Sequence, residues 1–286
     1  MTRAARAMKK PYLILGAGLM GLSLTYELAK FLPVTLLDLA KIGTEGASSH
    51  GFSLLRGDLF PDSLKTLAEI QKICEDMGLK SGIYLTGYRS PGKSERLAGG
   101  YLELALYLQA LKTLCLAAGA KVLEGVDIKG ISRQGNVLYV GTTTGRHDAE
   151  KIFLCGGSSH TLYPHYQLNP PLSQIKLAHA LAFAQPQTIK GAYLYPEFRL
   201  IHHQGEAWAL SELRDDETIE GFKKSIFQQL PQLELCPMTK VISALLARGS
   251  HWQELAKDIS YVGNLGLDGV LKALSIAKVI RGYHKK

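Results

Sequence analysis

Apolar and polar positions alternate in a way that predicts a strand, a helix and a second strand near the start of the chain. Tyr12–Leu15 is a short apolar run, which suits a strand buried on both faces. A glycine-rich turn follows at 16–21, and apolar residues then recur at helical spacing over 22–31. The segment 34–38 is a second apolar strand that ends in an acidic residue. The pattern therefore predicts a β-α-β unit.

The same patterning predicts that the chain returns twice to the domain that this unit begins. The segments between have other hydrophobic patterns. The predicted elements are an amphipathic helix over 101–118, a strand over 121–126, a β-meander over 127–149, a buried strand over 151–158, and a terminal strand and helix over 259–263 and 266–280. Residues 250–257 are expected to form a helical turn or loop.

The glycine-rich turn has the chemistry of a dinucleotide site. Gly16 permits a tight turn, Gly18 lets a pyrophosphate approach the backbone, and Gly21 lets the helix pack closely on the strand. Unpaired N–H groups at the helix N-terminus favour phosphate. Asp38 can accept hydrogen bonds from a ribose, and an acid at this position argues against NADP. The candidate contacts are Gly16, Gly18, Leu19, Met20, Gly21 and Asp38.

The cofactor is expected to be FAD, with NAD as the alternative. The loop 45–51 is rich in hydroxyls and backbone donors, so Ser48 and Ser49 can cover a pyrophosphate. A flexible Ser/Gly linker is the other interpretation of this loop. Three separate segments of the chain contribute to one nucleotide-binding domain. This arrangement suits FAD, because this long cofactor needs contacts from several separated strand ends.

The distribution of charged residues limits the functions that the chain can have. The net charge is +8, but eight of the 33 basic residues lie in residues 1–10 and 278–286, which hold no acid. The 25 remaining basic residues balance 25 acidic ones, so nucleic-acid binding is not the expected main function.

The four cysteines show neither CxxC nor zinc-ligand spacing, which predicts reduced thiols, no metal site and a cytoplasmic location. No apolar run reaches the roughly 18 residues of a membrane span.

Several segments, in order, carry a resemblance to a known family: GAGLMGLSLTYELAK, GASSHG, KIFLCGGSS, ALLARGS and ISYVGNLGLDGVLKALSIAKVI. The chain resembles the D-amino-acid-oxidase-like FAD-dependent oxidoreductases, which include glycine oxidase, D-amino-acid dehydrogenase and sarcosine oxidase, and looks like a shortened member. The resemblance implies an α/β fold, with a Rossmann-like FAD-binding domain and an inserted mixed β-sheet substrate domain. It adds these FAD contacts: His50, Val126, Cys155, Gly156, Gly157, Gly263, Gly266 and Leu267.

The resemblance also implies a domain division. The expected segments are a basic extension at 1–10, a discontinuous FAD-binding domain at 11–80, 100–160 and 250–286, and a substrate domain at 81–99 and 161–249.

The implied activity is oxidation of the C–N bond of an amino acid or related amine, by hydride transfer to flavin, with O2 or a quinone as the electron acceptor. Arg248 is the expected carboxylate-binding arginine. Tyr193 and Tyr195 are expected to line the substrate pocket. His202 and His203 are neighbours on a strand and are not expected to face one site.

Three alternatives stay open. The segment 250–257 lacks the family's Asp-Gly…Pro…Gly run, which suits a flavin-binding protein that has lost catalysis. The basic tails suit an FAD-dependent tRNA-modification oxidase. An NAD-dependent dehydrogenase is the third alternative.

Overall fold

The computed structural model describes most of the chain. The described residues are 10–46, 51–157, 175–184, 189–211, 218–247, 251–263, 265 and 268–285. Among them, no helix has both the length and the apolar character that crossing a bilayer requires.

A six-stranded sheet forms the centre of the first structural unit. Its middle strand, β1 (Tyr12–Leu15), pairs in parallel with strands on both sides, and all four of its residues are buried. In spatial order the sheet contains β16 (Trp252–Ala256), β17 (Ile259–Val262), β10 (Lys151–Leu154), β1, β2 (Val34–Leu37) and β6 (Lys121–Leu123). Five strands are parallel, and β16 is antiparallel to β17. The continuous apolar runs follow from this double burial.

Helices cover one face of this sheet and a small meander covers the other. The helical layer consists of α1 (Leu19–Ala29), α2 (Pro61–Asp76), α3 (Leu104–Ala117) and α5 (Gly269–His284). The meander consists of β7 (Ile128–Gln134), β8 (Val137–Thr142) and β9 (Gly145–Ala149). Ile14 of β1 belongs to the core under the helices, whereas Leu13 and Leu15 belong to the core under the meander. This alternation is the period-2 geometry of a strand.

A five-stranded sheet forms the second unit. Its strands, in spatial order, are β12 (Ala192–Leu194), β13 (Phe198–His203), β14 (Glu206–Ser211), β11 (Ile175–Ala184) and β15 (Met238–Ala247), all antiparallel to their neighbours. One face packs on α4 (Ile219–Gln229). The other face packs on a small sheet of β3 (Phe52–Arg56), β5 (Gly99–Glu103) and β4 (Ile83–Tyr84).

Several expectations about the elements need correction. The segment expected to be a helical turn or loop at 250–257 instead contains the strand β16, because Trp252 to Ala256 find a ladder partner in β17. The central helix begins at Leu104 rather than at 101, because residues 99–103 pair with β3. The first helix begins at Leu19, inside the glycine-rich turn.

A buried carboxylate, that of Glu27, links the first helix to the last. Glu27 of α1 has a side chain only 2% exposed, and its carboxylate lies 2.9 Å from Lys30 Nζ and 2.5 Å from a nitrogen of Arg281 on α5. Because a buried carboxylate needs compensation, this pair holds α5 against α1.

Replacing Arg281 with Met is expected to lower the free energy of unfolding by about 2 kcal/mol. The buried Glu27 carboxylate would then keep the ion pair with Lys30 but lose the one with Arg281. Thermal or urea denaturation measures the change. Lys65→Met, which removes an exposed pair with Asp62 on α2, is the control and should change the free energy by less than about 0.5 kcal/mol. Equal effects of the two substitutions would contradict the assigned role of the buried pair.

Candidate functional site

The first glycine turn joins β1 to α1 with almost no free space. Gly16 has φ +105°, and its N–H donates to the Leu37 carbonyl at 2.8 Å. A Cβ at Gly21 would lie 1.8 Å from the Gly16 carbonyl oxygen, so only glycine allows this approach of helix and turn. Gly18 is the N-cap of α1, and no side chain caps the helix there. Leu19 and Met20 are the first two residues of the helix.

Asp38 lies directly beside this turn. One carboxylate oxygen accepts a hydrogen bond from the Ala17 N–H, and the other accepts from the Ala40 N–H at 2.8 Å. Burial raises the pKa of the Asp38 carboxyl, and the two backbone hydrogen bonds oppose that rise. The Val126 N–H donates to the Asp38 carbonyl at 2.9 Å. The end of β2 thus brings together the glycine turn, Asp38 and Val126, although Val126 is distant from both in sequence.

A second glycine turn packs against the first. Cys155 follows β10, and its N–H donates to the Leu15 carbonyl at 2.7 Å. A Cβ at Gly16 would lie 2.7 Å from the Cys155 carbonyl oxygen. The Cys155 thiol is buried, and burial raises its pKa. Gly156 and Gly157 continue this turn, and Gly157 has φ +60°.

The fourth strand end adds Gly263, which follows β17. Its N–H donates to the His251 carbonyl at 3.0 Å, and the phenol oxygen of Tyr261 lies 2.6 Å from where its Cβ would be. The other predicted contacts, Ser48, Ser49, His50, Gly266, Leu267 and Arg248, lie outside the described residues. Their roles stay predictions.

The order of the strands explains why these groups converge. From β1 the chain moves to β2 on one side of the sheet, and later to β10 on the other side. β1 therefore lies at the topological switch point, where the loops after β1 and β10 diverge and leave a crevice at the carboxyl ends of the strands. Gly16, Gly156 and Asp38 all follow such strand ends. This is the position at which doubly wound sheets bind nucleotides.

The two predicted pocket tyrosines do not face this crevice. Tyr193 and Tyr195 pack into the core between the antiparallel sheet and α4. Tyr195 stacks on Phe198, with ring centroids 4.6 Å apart. The residues that point to the opposite face, towards the small sheet, include Ile201 and Trp208. Both tyrosines lie on the face of the sheet that α4 covers, and their role in the substrate pocket stays a prediction.

Sequence reasoning missed a buried ion pair between the two units. A guanidinium nitrogen of Arg199, on β13, lies 3.0 Å from an Asp268 carboxylate oxygen, and the two side chains are 6% and 16% exposed. Asp268 is the N-cap of α5, but its side chain makes no capping hydrogen bond. An Asp just before a helix normally caps it, so its position in the sequence gives no sign of the ion pair with Arg199.

The geometry can be compared with solved structures. Glycine oxidase from Bacillus cereus ATCC 14579 is 16% identical with a TM-score of 0.73, over 96% of each chain. L-proline dehydrogenase from P. horikoshii is 16% identical with a TM-score of 0.75, over 96% of this chain and 93% of that chain. Iminodiacetate oxidase from Chelativorans sp. BNC1 is 13% identical with a TM-score of 0.76, over 96% and 95%.

The chain has the D-amino-acid-oxidase-like fold. This confirms the resemblance found in the sequence and the expected α/β fold class. No protein-family model matches the chain, and no curated protein matches it by sequence. The D-amino-acid-oxidase-like fold is thus recognised through its three-dimensional arrangement, at identities where sequence comparison alone finds little.

Proposed function

We propose that the chain is an FAD-dependent oxidoreductase that oxidises the C–N bond of an amino acid or related amine. The observation that carries the proposal is the meeting of two glycine turns and Asp38 at the switch point of the parallel sheet, beside an antiparallel sheet. Solved structures that share this fold are described as oxidases, a dehydrogenase and deaminases of amino acids and related amines.

The described residues fit the adenosine diphosphate half of FAD. Gly16 and Gly21 leave no room for side chains, and Gly18 exposes helix N–H groups to a pyrophosphate. Asp38, oriented by its two backbone hydrogen bonds, would hold the ribose. NAD contains the same adenosine diphosphate half, so identifying the bound nucleotide is needed to distinguish FAD from NAD.

When bound, FAD supplies the hydride acceptor for C–N oxidation. The protein's part is to bind and orient the substrate. We propose that Arg248, which directly follows β15 in the sequence, grips the substrate carboxylate with paired hydrogen bonds. The electron acceptor is proposed to be O2 or a quinone. The domain division given above is proposed together with this function.

The tRNA-directed alternative is not favoured by the C-terminal segment. Lys278 donates to the hydroxyl of Thr66, and Arg281 pairs with Glu27. Both residues belong to α5, so half of the expected C-terminal basic tail is engaged within the protein.

An absorbance spectrum and an anaerobic substrate panel test the proposal. Purified protein should show flavin bands at about 375 and 450 nm. Anaerobic addition of amino acids and N-methyl amino acids should bleach the band at longer wavelength with one class of substrate. Bound flavin that no amine bleaches would replace the proposal with a flavin-binding protein without this activity. Absence of flavin after reconstitution with FAD would favour an NAD-dependent enzyme.

Asp38→Ala is expected to weaken FAD binding by about ten- to a hundredfold, the range for loss of hydrogen bonds to a charged group. The measurement is a titration of flavin-free protein with FAD, followed by the change in flavin fluorescence. Asp148→Ala, on the exposed meander strand β9, is the control and should leave the affinity unchanged. Unchanged affinity in both variants would argue against the assigned position of the ribose.

A further inference from the structure

A second cavity lies at the edge of the antiparallel sheet, away from the switch point. Its volume is about 310 Å3, and its wall includes three cationic side chains, two histidines and a tyrosine. The six residues that matter here are Arg89, Arg96, Tyr101, Lys190, His202 and His203. This volume is at the lower end of the range for pockets that bind small molecules.

Backbone hydrogen bonds fix the elements that carry these side chains. The Arg89 N–H donates to the Ala192 carbonyl at 2.9 Å, and the Leu194 N–H donates to the Arg89 carbonyl at 2.8 Å. Arg89 is thereby attached to β12, the edge strand. The Arg96 guanidinium donates to the Thr86 carbonyl at 3.1 Å. These hydrogen bonds hold Arg89 beside β12 and Arg96 beside Thr86.

Both histidines line the cavity, contrary to the expectation that strand neighbours cannot share one site. The expectation holds for the two faces of a strand. Here the cavity lies across the end of the strand, because β13 stops at His203 and the chain turns at Gln204, which has φ +47°. Side chains from both faces can reach a site placed at that end.

The charge of the cavity wall is strongly positive. Among the described residues, no carboxylate lies within ion-pair distance of Arg89, Arg96 or Lys190. Glu103 lies 3.5 Å from His203 Nε2 and offsets part of the charge. Three cationic side chains in one cavity wall favour the binding of an anion.

His202 adds an unused hydrogen-bonding group. Its Nε2 atom is buried and has no hydrogen-bond partner among the described residues. The pKa of His202 is lowered, first by burial and then by the neighbouring His203 and Lys190. Negative charge bound in the cavity would raise the pKa of His202 towards its ordinary value, because it would favour the protonated imidazole.

We propose that this cavity binds a small phosphomonoester at a site separate from the dinucleotide crevice. A phosphate group offers three terminal oxygens and close to two negative charges, which suits the two guanidinium groups and the one ammonium group of this wall. A monocarboxylate would leave most of these donors unused. Tyr101 and Ala192 form the less polar part of the wall, against which the organic part of the ligand would lie.

Isothermal titration calorimetry on the full-length protein, in a buffer free of phosphate, tests this proposal. The probes are inorganic phosphate and glycerol 3-phosphate. We expect saturable binding of both, with glycerol 3-phosphate the tighter because the cavity has room beyond the phosphate group. The double variant Arg89→Gln/Lys190→Gln should weaken both probes at least tenfold and leave the flavin content unchanged. Both side chains are exposed, which favours correct folding.

Lys72→Gln, an exposed lysine on α2, is the control and should bind both probes as the wild type does. Equal weakening in the control would show nonspecific attraction and overturn the proposal, as would the absence of saturable binding. Succinate binding as tightly as glycerol 3-phosphate would overturn the phosphate assignment. A short RNA that displaces glycerol 3-phosphate at lower concentration than free phosphate would identify a nucleic-acid contact instead.

The ring protons of His202 supply a readout that general charge effects do not reproduce. In an NMR titration, saturating glycerol 3-phosphate should raise the pKa of His202, with the resonance assigned through His202→Gln. An unchanged His202 pKa at saturation would place the bound anion elsewhere and overturn the proposal.

Discussion

Gly21→Ala is expected to weaken FAD binding by about a hundredfold, which corresponds to about 3 kcal/mol. The added Cβ would lie 1.8 Å from the Gly16 carbonyl oxygen, a backbone atom that cannot rotate away. Either α1 must move off the turn or the turn must open, and both changes displace the N–H groups that would hold a pyrophosphate. The same overpacking should lower the thermal unfolding midpoint by several degrees.

The measurement is FAD titration of the flavin-free variant, combined with thermal denaturation. Gly282→Ala on α5 is the matched control, because a Cβ there meets no atom within 4 Å. Since Ala is the better helix former, this control should be neutral or stabilising by up to about 1 kcal/mol. If Gly21→Ala behaved like the control, the close packing of α1 on the turn would not be needed for nucleotide binding.

Asp268→Asn is expected to lower the free energy of unfolding by about 3 kcal/mol. Its carboxylate pairs with Arg199, and the side chains of Arg199 and Asp268 are only 6% and 16% exposed. The neutral amide would leave the Arg199 guanidinium without this compensating charge in a site with little water. Because the pair joins β13 to the start of α5, we also expect weaker attachment of the antiparallel sheet to the nucleotide-binding unit.

A double-mutant cycle separates the pair from its surroundings. Asp268→Asn, Arg199→Met and the double variant are compared by denaturation, and the double variant should recover at least about 1 kcal/mol of the summed loss. Asp62→Asn, at a 91% exposed carboxylate in an ion pair on α2, is the control and should have little effect. Purely additive losses in the cycle would show that the two residues stabilise the protein independently.

Part of the architecture is local enough to be predicted from the sequence. The strand at 12–15 and the glycine turn that follows it depend on short-range patterns, namely a continuous apolar run and glycine spacing. The meander at 127–149 is of the same kind, because its turns are marked by Gly135 and Gly145. These elements appear in the structure close to where the sequence indicates them.

Other elements depend on partners distant in the chain. The sequence of β16 lacks a strict alternation of apolar and polar residues, and it becomes a strand because β17 provides a ladder for it. The spacing of Tyr193 and Tyr195 predicts that they share one face of a sheet. The position of α4, which the sequence does not give, decides what that face contacts. Arg199 and Asp268 are unremarkable in sequence, and only the packing of the two units makes them a buried pair.

The sequence by itself determined the β-α-β unit, the glycine turn with its acid at position 38, and the family resemblance that the fold comparison confirms. Local spacing suffices for these features, because each depends on residues that are neighbours in the chain. Tertiary structure decided which side chains face the crevice, which charges are buried together, and where cationic residues gather at a sheet edge. These depend on contacts between distant segments, whose free energies arise only when the segments pack and exclude water.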